Sequence, residues 1–285
     1  MIKLTECPRD AMQGITEFIP TELKIQYINS LLKVGFDVID FGSFVSSKAI
    51  PQMRDTIDVL KKLDLRDSYS QLLAIVANMR GADEASLFEE IDYLGFPFSI
   101  SEEFQKRNTN STRQQSLIRV DEISNLCASR NKEIILYLSM AFGNPYNEPW
   151  DIDIVSSWIE KLSENGIHNI ALSDTIGSST PDSIKLLFET LTKEFPFIEF
   201  GAHIHSTKET TLEKISAAYE SGCVSFDSAM MGFGGCPMAK DELTGNIATE
   251  ILLDYLKAKD ELPELDEDAL IKSQIIAKRI FHHLK

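Results

Sequence analysis

The stretch "GAHIHST" carries His203 and His205, separated by one residue. Residues two apart on an extended strand face the same way, so this pair can present two imidazoles to one metal ion. The bland alternative is a pair of core histidines satisfying hydrogen bonds. Near the other end, "TECPRDAMQG" sets Arg9 beside Asp10. Neighbours on a strand point to opposite faces, so the pair reads as serving two parts of one site rather than neutralising itself. Asp10 can add a hard oxygen to the two imidazoles. A third stretch, "MGFGGCPMAKDELTGNIATE" (231–250), holds Gly232, Gly234 and Gly235 just before Cys236. Glycine permits backbone angles other residues avoid, which suits a mobile lid over substrate that delivers the Cys236 thiol. An ordinary Gly-rich loop with a small apolar Cys is the alternative. Thr244 and Asn246 are candidate helix caps, and the Asn246 amide oxygen is also a candidate metal ligand. Oxygen and imidazole without thiolate suit Mg²⁺ or Mn²⁺, and Zn²⁺ is compatible with the imidazoles.

Such residues need a scaffold that brings distant segments together. Eight short β-rich runs fall at 2–7, 37–42, 72–77, 96–101, 133–140, 169–174, 198–205 and 224–230. Amphipathic stretches separate them, as at 21–35, 150–166, 180–195 and 207–222. Gly166 and Gly222 supply helix stops, and Thr180-Pro181 supplies a helix start. Alternation of this kind predicts an α/β chain folded as one (β/α)₈ TIM barrel over 1–261. A short C-terminal helical extension over 262–285 is expected to pack on it. A doubly wound open sheet is disfavoured, because no G-x-G-x-x-G follows the first strand. Barrel sites gather at the C-terminal strand ends. Arg9, Asp10, Asp40, Ser139, Asn144, Asp174, His203 and His205 all fall there.

The chain has 28 Lys and Arg against 44 Asp and Glu, a formal charge of -16. That excludes the basic stripe of a nucleic-acid binder and asks any anionic substrate to find a locally positive entrance. No apolar run is long enough to span a bilayer, and no signal-peptide pattern opens the chain. The expectation is a cytoplasmic protein without a membrane partner. Cys7, Cys127, Cys223 and Cys236 are scattered, as reduced thiols would be.

Seven motifs in order now identify a family resemblance: "ECPRDAMQ", "VIDFGSFVSSKAIPQM", "FQKRNTNST", "YLSMAFGNPY", "LSDTIGSSTP", "AHIHST" and "GFGGCPMA…TGNIATE". From residue 2 to about 256 the chain resembles the hydroxymethylglutaryl-CoA lyases of the metal-dependent lyase and Claisen-synthase barrel superfamily. The resemblance implies cleavage of 3-hydroxy-3-methylglutaryl-CoA to acetoacetate and acetyl-CoA with Mg²⁺ or Mn²⁺. It implies Asp10, His203, His205 and Asn246 as metal ligands. Arg9, Cys236, His203, Asp40 and Glu250 are the implied catalytic set, with Asp40 standing where the family usually has Glu. Arg9, Gln13, Ser43, Asn108, Ser139, Asp174 and Thr175 are the implied substrate contacts. Lys48, Arg54, Lys106 and Arg107 are candidates for the CoA phosphates. A homodimer, with the C-terminal helix as interface, is the assembly suggested by analogy.

Several positions depart from the family pattern. Ala11 replaces a Gly, which would strain the backbone if a positive φ were required there. Gly14-Ile15-Thr16 replace Asn-Glu-Lys, Ala171 a Ser, Ser206 an Asp and Asn144 a Cys. These differences motivate the alternative that the lyase chemistry acts on a related 3-hydroxyacyl-CoA. An acetyl-CoA/2-oxo-acid condensing synthase and a non-catalytic barrel are the other readings.

Overall fold

In the computed structural model, which describes residues 2–235 and 244–281, nine strands are present. They are β1 (Lys3–Glu6), β2 (Val38–Ser43), β3 (Gln71–Ile75), β4 (Tyr93–Ser99), β5 (Glu133–Ser139), β6 (Asn169–Asp174), β7 (Glu199–Ser206), β8 (Ser225–Ser228) and β9 (Gly245–Asn246). The first eight pair in parallel in sequence order, and β8 returns to pair with β1. The sheet is therefore a closed TIM barrel, as expected. The helices are α1 (Pro8–Gln13), α2 (Thr21–Leu31), α3 (Thr56–Leu60), α4 (Met79–Ser86), α5 (Glu102–Thr109) and α6 (Arg113–Ser129). They continue with α7 (Ile152–Glu164), α8 (Pro181–Glu194), α9 (Thr211–Glu220), α10 (Thr249–Ala258) and the C-terminal α11 (Glu267–Phe281). Among the described residues no helix is long and apolar enough to cross a membrane.

Strand alternation sorts the side chains into two sets. Leu4, Ile39, Phe41, Leu72, Phe96 and Leu136 face outward and share one continuous core with the helices. Val38, Leu73, Ile75, Tyr137 and Ala171 face inward as a smaller separate cluster. The same alternation sends His203 and His205 inward at the end of β7. β4 begins at Tyr93 rather than at 96, so it takes in Gly95. A Cβ on Gly95 would lie 2.5 Å from Ile75 Cδ1 and 3.1 Å from the Tyr137 ring. A side chain there would have to displace the ends of Ile75 and Tyr137. Ile100 and Ser101 leave the strand, and Ser101 Oγ caps α5 by accepting from the Phe104 amide at 3.1 Å.

Helix signals are borne out with small shifts. Asp151 caps α7 by accepting from the Ile154 amide at 2.8 Å, and Gly166 follows with φ +77°. Thr180 caps α8 through Ser183, with Pro181 in the first turn. α9 starts at Thr211 rather than 207, because Thr207 and Thr210 close a turn first. α11 lies against α2, with Ser273 Oγ 2.9 Å from Ser30 Oγ. Its Phe281 meets the Tyr27 ring edge-on and stacks on Phe233 at 4.5 Å.

Two elements differ from expectation. The chain after β1 does not stay extended at Arg9 and Asp10. Pro8 enters the first turn of α1, so Arg9 and Asp10 lie on a helix. β9 was not anticipated: it runs antiparallel to β7, with Asn246 opposite His205. Thr244 and Asn246 therefore cap nothing. α10 begins at Thr249 after Ala248, without a side-chain cap.

Candidate active site

Asp10, His203 and His205 are buried at the C-terminal mouth of the barrel. One ligand atom from each lies within 4.8 Å of the others. His205 Nδ1 sits 3.1 Å from the Thr175 carbonyl oxygen. A carbonyl only accepts, so the ring proton is on Nδ1 and Nε2 carries a lone pair. That Nε2 is buried and meets no hydrogen-bond partner. A buried polar atom without a partner is costly, and a cation held with Asp10 and His203 is the group that would satisfy it. Burial, then the neighbouring His203 charge, lower the His205 pKa, which favours the neutral ligand form. His203 is shifted the other way: burial alone would lower it, but the hydrogen bond and charge of Asp227 raise it. The donor set fits a divalent metal ion.

Arg9 and Asp10 touch after all, with Nη1 2.9 Å from Oδ1. Helical geometry allows this where strand geometry would not. Yet the pair is no surface neutralisation. Arg9 turns Nε and Nη2 onto Asp40 at 2.5–3.1 Å, and Nη1 also donates to Gln13 Oε1 at 2.9 Å. Gln13 Nε2 donates in turn to Asp10 Oδ1 at 2.7 Å. Burial would raise Asp10, but Arg9, the two imidazoles and Asn246 hold it below the usual carboxylate range. Full burial pushes Asp40 up to about 6 even with Arg9 against it. The pair keeps Arg9 charged, against the cost of its burial.

Asn246 reaches the same cluster, donating from Nδ2 to Asp10 Oδ2 at 2.7 Å and to the Phe233 carbonyl at 2.9 Å. The amide nitrogen is thus the end that meets Asp10, and ligation would require the oxygen end instead. Gly234 explains the closeness. At φ +113° it lies so near that a Cβ would collide with Asn246 Nδ2 and come within 3.0 Å of Asp10 Oδ2. Gly232 and Gly235 also adopt positive φ, at +68° and +129°. In the described part of the loop, glycine serves close approach to the site. Cys236 lies outside the described residues, as does the remainder of the expected lid to residue 243.

A cavity of about 260 Å³ opens over the cluster, lined by Arg9, Asp10, Gln13, Asn108, Ser139, Thr175, His203 and His205 among others. Its opposite wall is apolar, built from Val45, Ile50, Ile75, Pro97 and Phe104. A pattern shared with known proteins accompanies this geometry. The HMGL-like family model matches residues 3–276. The chain belongs to the HMGL-like family. Hydroxymethylglutaryl-CoA lyase YngG of Bacillus subtilis (strain 168) is 36% identical over 253 residues, covering 89% of this chain and 84% of that protein. The human cytoplasmic 3-hydroxy-3-methylglutaryl-CoA lyase is 34% identical over 255 residues, covering 88% and 68%. A crystal structure of the B. subtilis HMG-CoA lyase superposes with a TM-score of 0.90 at 34% identity, over 98% of this chain and 93% of that one. An HMG-CoA lyase from Acinetobacter baumannii, solved with coenzyme A and 3-methylmalate, superposes with a TM-score of 0.90 at 31% identity, over 99% and 92%.

Within this HMGL-like chain, not every residue singled out in the sequence reaches the cavity. Asp40 sits behind Arg9, fully buried. Ser43 Oγ donates to the Ile75 carbonyl at 3.3 Å and lines a neighbouring cleft. Asp174 ends β6 facing away from the cavity. Its Oδ2 accepts from Lys214 Nζ at 3.0 Å and from Ser179. Glu250 Oε2 accepts from the Met231 amide at 2.9 Å, bracing the Gly-rich segment. Of the cations considered for CoA, Lys106 and Arg107 pair with Glu102 and Glu103 one turn earlier in α5. Arg54 stacks 3.6 Å over the Phe18 ring. Lys48 is exposed, next to Ala49 and Ile50 of the cavity wall.

The departures from the HMGL-like motif are also placed. Ala11 is helical and is not among the positive-φ residues, so the anticipated strain is absent. Asn144 Oδ1 accepts from the Tyr146 and Glu148 amides, organising the loop after β5. Ser206 Oγ bonds Thr211 Oγ1 at 2.8 Å, away from the metal-ligand trio. Thr16 is exposed. Sequence reasoning missed Asp227 and Lys214. A carboxylate at an inward position of the short eighth strand was the available signal for Asp227. Nothing in the α9 pattern set Lys214 apart from a surface lysine.

Proposed function

We propose that this protein is a metal-dependent carbon–carbon lyase that cleaves 3-hydroxy-3-methylglutaryl-CoA to acetoacetate and acetyl-CoA. The observation that carries the reading is the buried Asp10–His203–His205 trio, with an unpartnered His205 Nε2, beside a charged Arg9. The family match and the lyase relatives favour cleavage over a condensing synthase or a non-catalytic barrel. Coenzyme A and 3-methylmalate in the A. baumannii relative support an acyl-CoA substrate here.

Asp10, His203 and His205 would hold the cation, with Mg²⁺ or Mn²⁺ suited to the oxygen-bearing set. A bound cation there supplies Lewis-acid polarisation of the substrate's tertiary hydroxyl. Loss of the hydroxyl proton turns C3 into a ketone as the C2–C3 bond breaks. The electron pair leaves on the acetyl-CoA fragment as its enolate, which takes a proton at C2. Arg9 has five N–H bonds, and Asp40, Asp10 and Gln13 engage four of them in the contacts above. The remaining Nη2–H is assigned to the thioester oxygen, where negative charge develops. Asp40 orients that guanidinium. Gln13, Asn108, Ser139 and Thr175 line the space for the acyl group. Cys236 is assigned both proton movements: its thiolate takes the hydroxyl proton, and the thiol so formed gives it to C2 of the enolate. Lys48, at the rim, is the cation best placed for CoA phosphate. Free buried Cys7, Cys127 and Cys223 are consistent with a reducing cytoplasmic setting. A homodimer through α11, which exposes Ile271 and Ile275, remains part of this reading.

The test is acetoacetate release from hydroxymethylglutaryl-CoA, with and without Mg²⁺ or Mn²⁺, for wild type and Cys236→Ala. Metal-dependent release that collapses in the variant supports the reading. No release from metal-loaded wild type would move the substrate to another 3-hydroxyacyl-CoA.

A further inference from the structure

Asp227 is a carboxylate inside the barrel that the reaction described above does not use. It stands on β8, and its Oδ2 lies 2.9 Å from His203 Nδ1. A carboxylate only accepts, so this contact places a proton on Nδ1, and in the neutral ring the lone pair is then on Nε2, available to a ligand. The Tyr137 ring meets the imidazole edge-on, with centroids 5.2 Å apart, and restricts its tilt.

Asp227 also lines a second cavity, about 260 Å³, toward the N-terminal end of the barrel. Thr5, Ala171, Gly201 and Ser225 are small residues in its wall, beside the larger Val38, Tyr93 and Ile135. A Lys3–Glu199 ion pair of 2.6 Å stands at the partly exposed lower edge. His203 belongs to the wall of the upper cavity and Asp227 to the wall of the lower one. The hydrogen-bonded pair is thus a partition between them.

We propose that Asp227 is a positioning residue of the cation site: it fixes His203 in the Nδ1–H tautomer, aims Nε2 at the ion, and does so from the chamber opposite the substrate. This rests on the reading that Asp10, His203 and His205 hold a cation. Partners of this kind orient metal ligands and commonly change metal affinity when removed.

The test titrates Mn²⁺ into wild type, Asp227→Ala and Asp227→Asn, following free Mn²⁺ by electron paramagnetic resonance. The His203 tautomer is read from imidazole ¹⁵N shifts in the metal-free proteins, with Tm measured beside it. Asp227→Ala is expected to weaken Mn²⁺ binding roughly 10- to 100-fold and to populate the Nε2–H tautomer. Asp227→Asn keeps an acceptor but can also present a donor, so an intermediate loss is expected. If the Ala variant does not fold, the Asn variant carries the test. Unchanged affinity and tautomer in a folded variant, even with lowered Tm, would overturn the proposal, as would a wild type that binds no Mn²⁺. A wild type that binds Mn²⁺ but does not cleave hydroxymethylglutaryl-CoA rejects the proposed reaction and leaves Asp227 in its role.

Discussion

Arg9 is gripped by Asp40: Nε lies 3.1 and 3.0 Å from the two carboxylate oxygens, and Nη2 lies 2.5 Å from Oδ2. Two donors on one carboxylate fix the guanidinium plane as well as its position. Asp40 itself is inaccessible on β2. The proposed role of Asp40 is therefore to act through Arg9. Asp40→Asn should lower kcat by about 10²-fold, the scale of losing one preorganised donor, while Mn²⁺ affinity stays near wild type. Arg9→Lys should fare little better than Arg9→Gln, because an ammonium cannot reproduce the planar fork. Steady-state kinetics with parallel Mn²⁺ titrations would check both.

His205→Ala removes the proposed ligand whose free nitrogen is buried without a hydrogen-bond partner among the described residues. A ligand that binds only the folded state raises its stability. Wild-type Tm should therefore rise on adding Mg²⁺ or Mn²⁺, and the variant's should not. Dialysis against a chelator should abolish wild-type activity, and added cation should restore it. Differential scanning calorimetry beside the acetoacetate assay decides the matter.

Gly234→Ala tests whether this glycine is there for close approach. The added Cβ meets Asn246 and Asp10, and φ +113° is strained for any L residue. The cost should be on the order of 1 kcal/mol or more, and metal affinity should fall with stability. Gly14→Ala, where nothing lies within 4 Å of the new Cβ and φ is -82°, is the control: metal affinity should not change, and stability should hold or rise by about 0.4–1 kcal/mol. Urea melts and Mn²⁺ titration of both variants would show it.

Glu6 gives the fold a pH dependence of its own. It is fully buried at the end of β1 and accepts from the Met230 amide at 2.8 Å and from Thr249 Oγ1 at 2.6 Å. Burial pushes its pKa from 4.5 up to about 8, although those two hydrogen bonds pull it down. Between these values the folded state binds the extra proton, so stability is lost as pH rises from about 4.5 through about 8. Glu6→Gln removes that proton equilibrium. Thermal melts from pH 5 to 8 should show a flatter Tm profile for the variant than for wild type.

The barrel was legible because its strands are short, apolar and evenly spaced, and because Thr180-Pro181 and Gly166 mark helix ends by local chemistry. His203 and His205 were legible because period two in a strand is a strict rule. α1 was not, since six residues are too few for a helical pattern and Pro8 reads equally as a loop. Two-residue β9 exists only through its ladder to β7, a long-range pairing that no local run announces. For the same reason Asn246 was misread in part as a cap. The inward or outward turn of residues at strand ends was the other gap. Asp174 looked like a mouth residue, but the strand register turns it toward Lys214.

The seam where β8 closes onto β1 has a consequence for synthesis. Asp10 follows the first strand of the barrel, and His203 and His205 stand on the seventh. A nascent or truncated chain that stops short of the seventh strand holds one acidic oxygen and neither imidazole. Such a fragment has no cation trap and no means of using one. With the proposed cation held by this trio, ion uptake would report that the ring has closed.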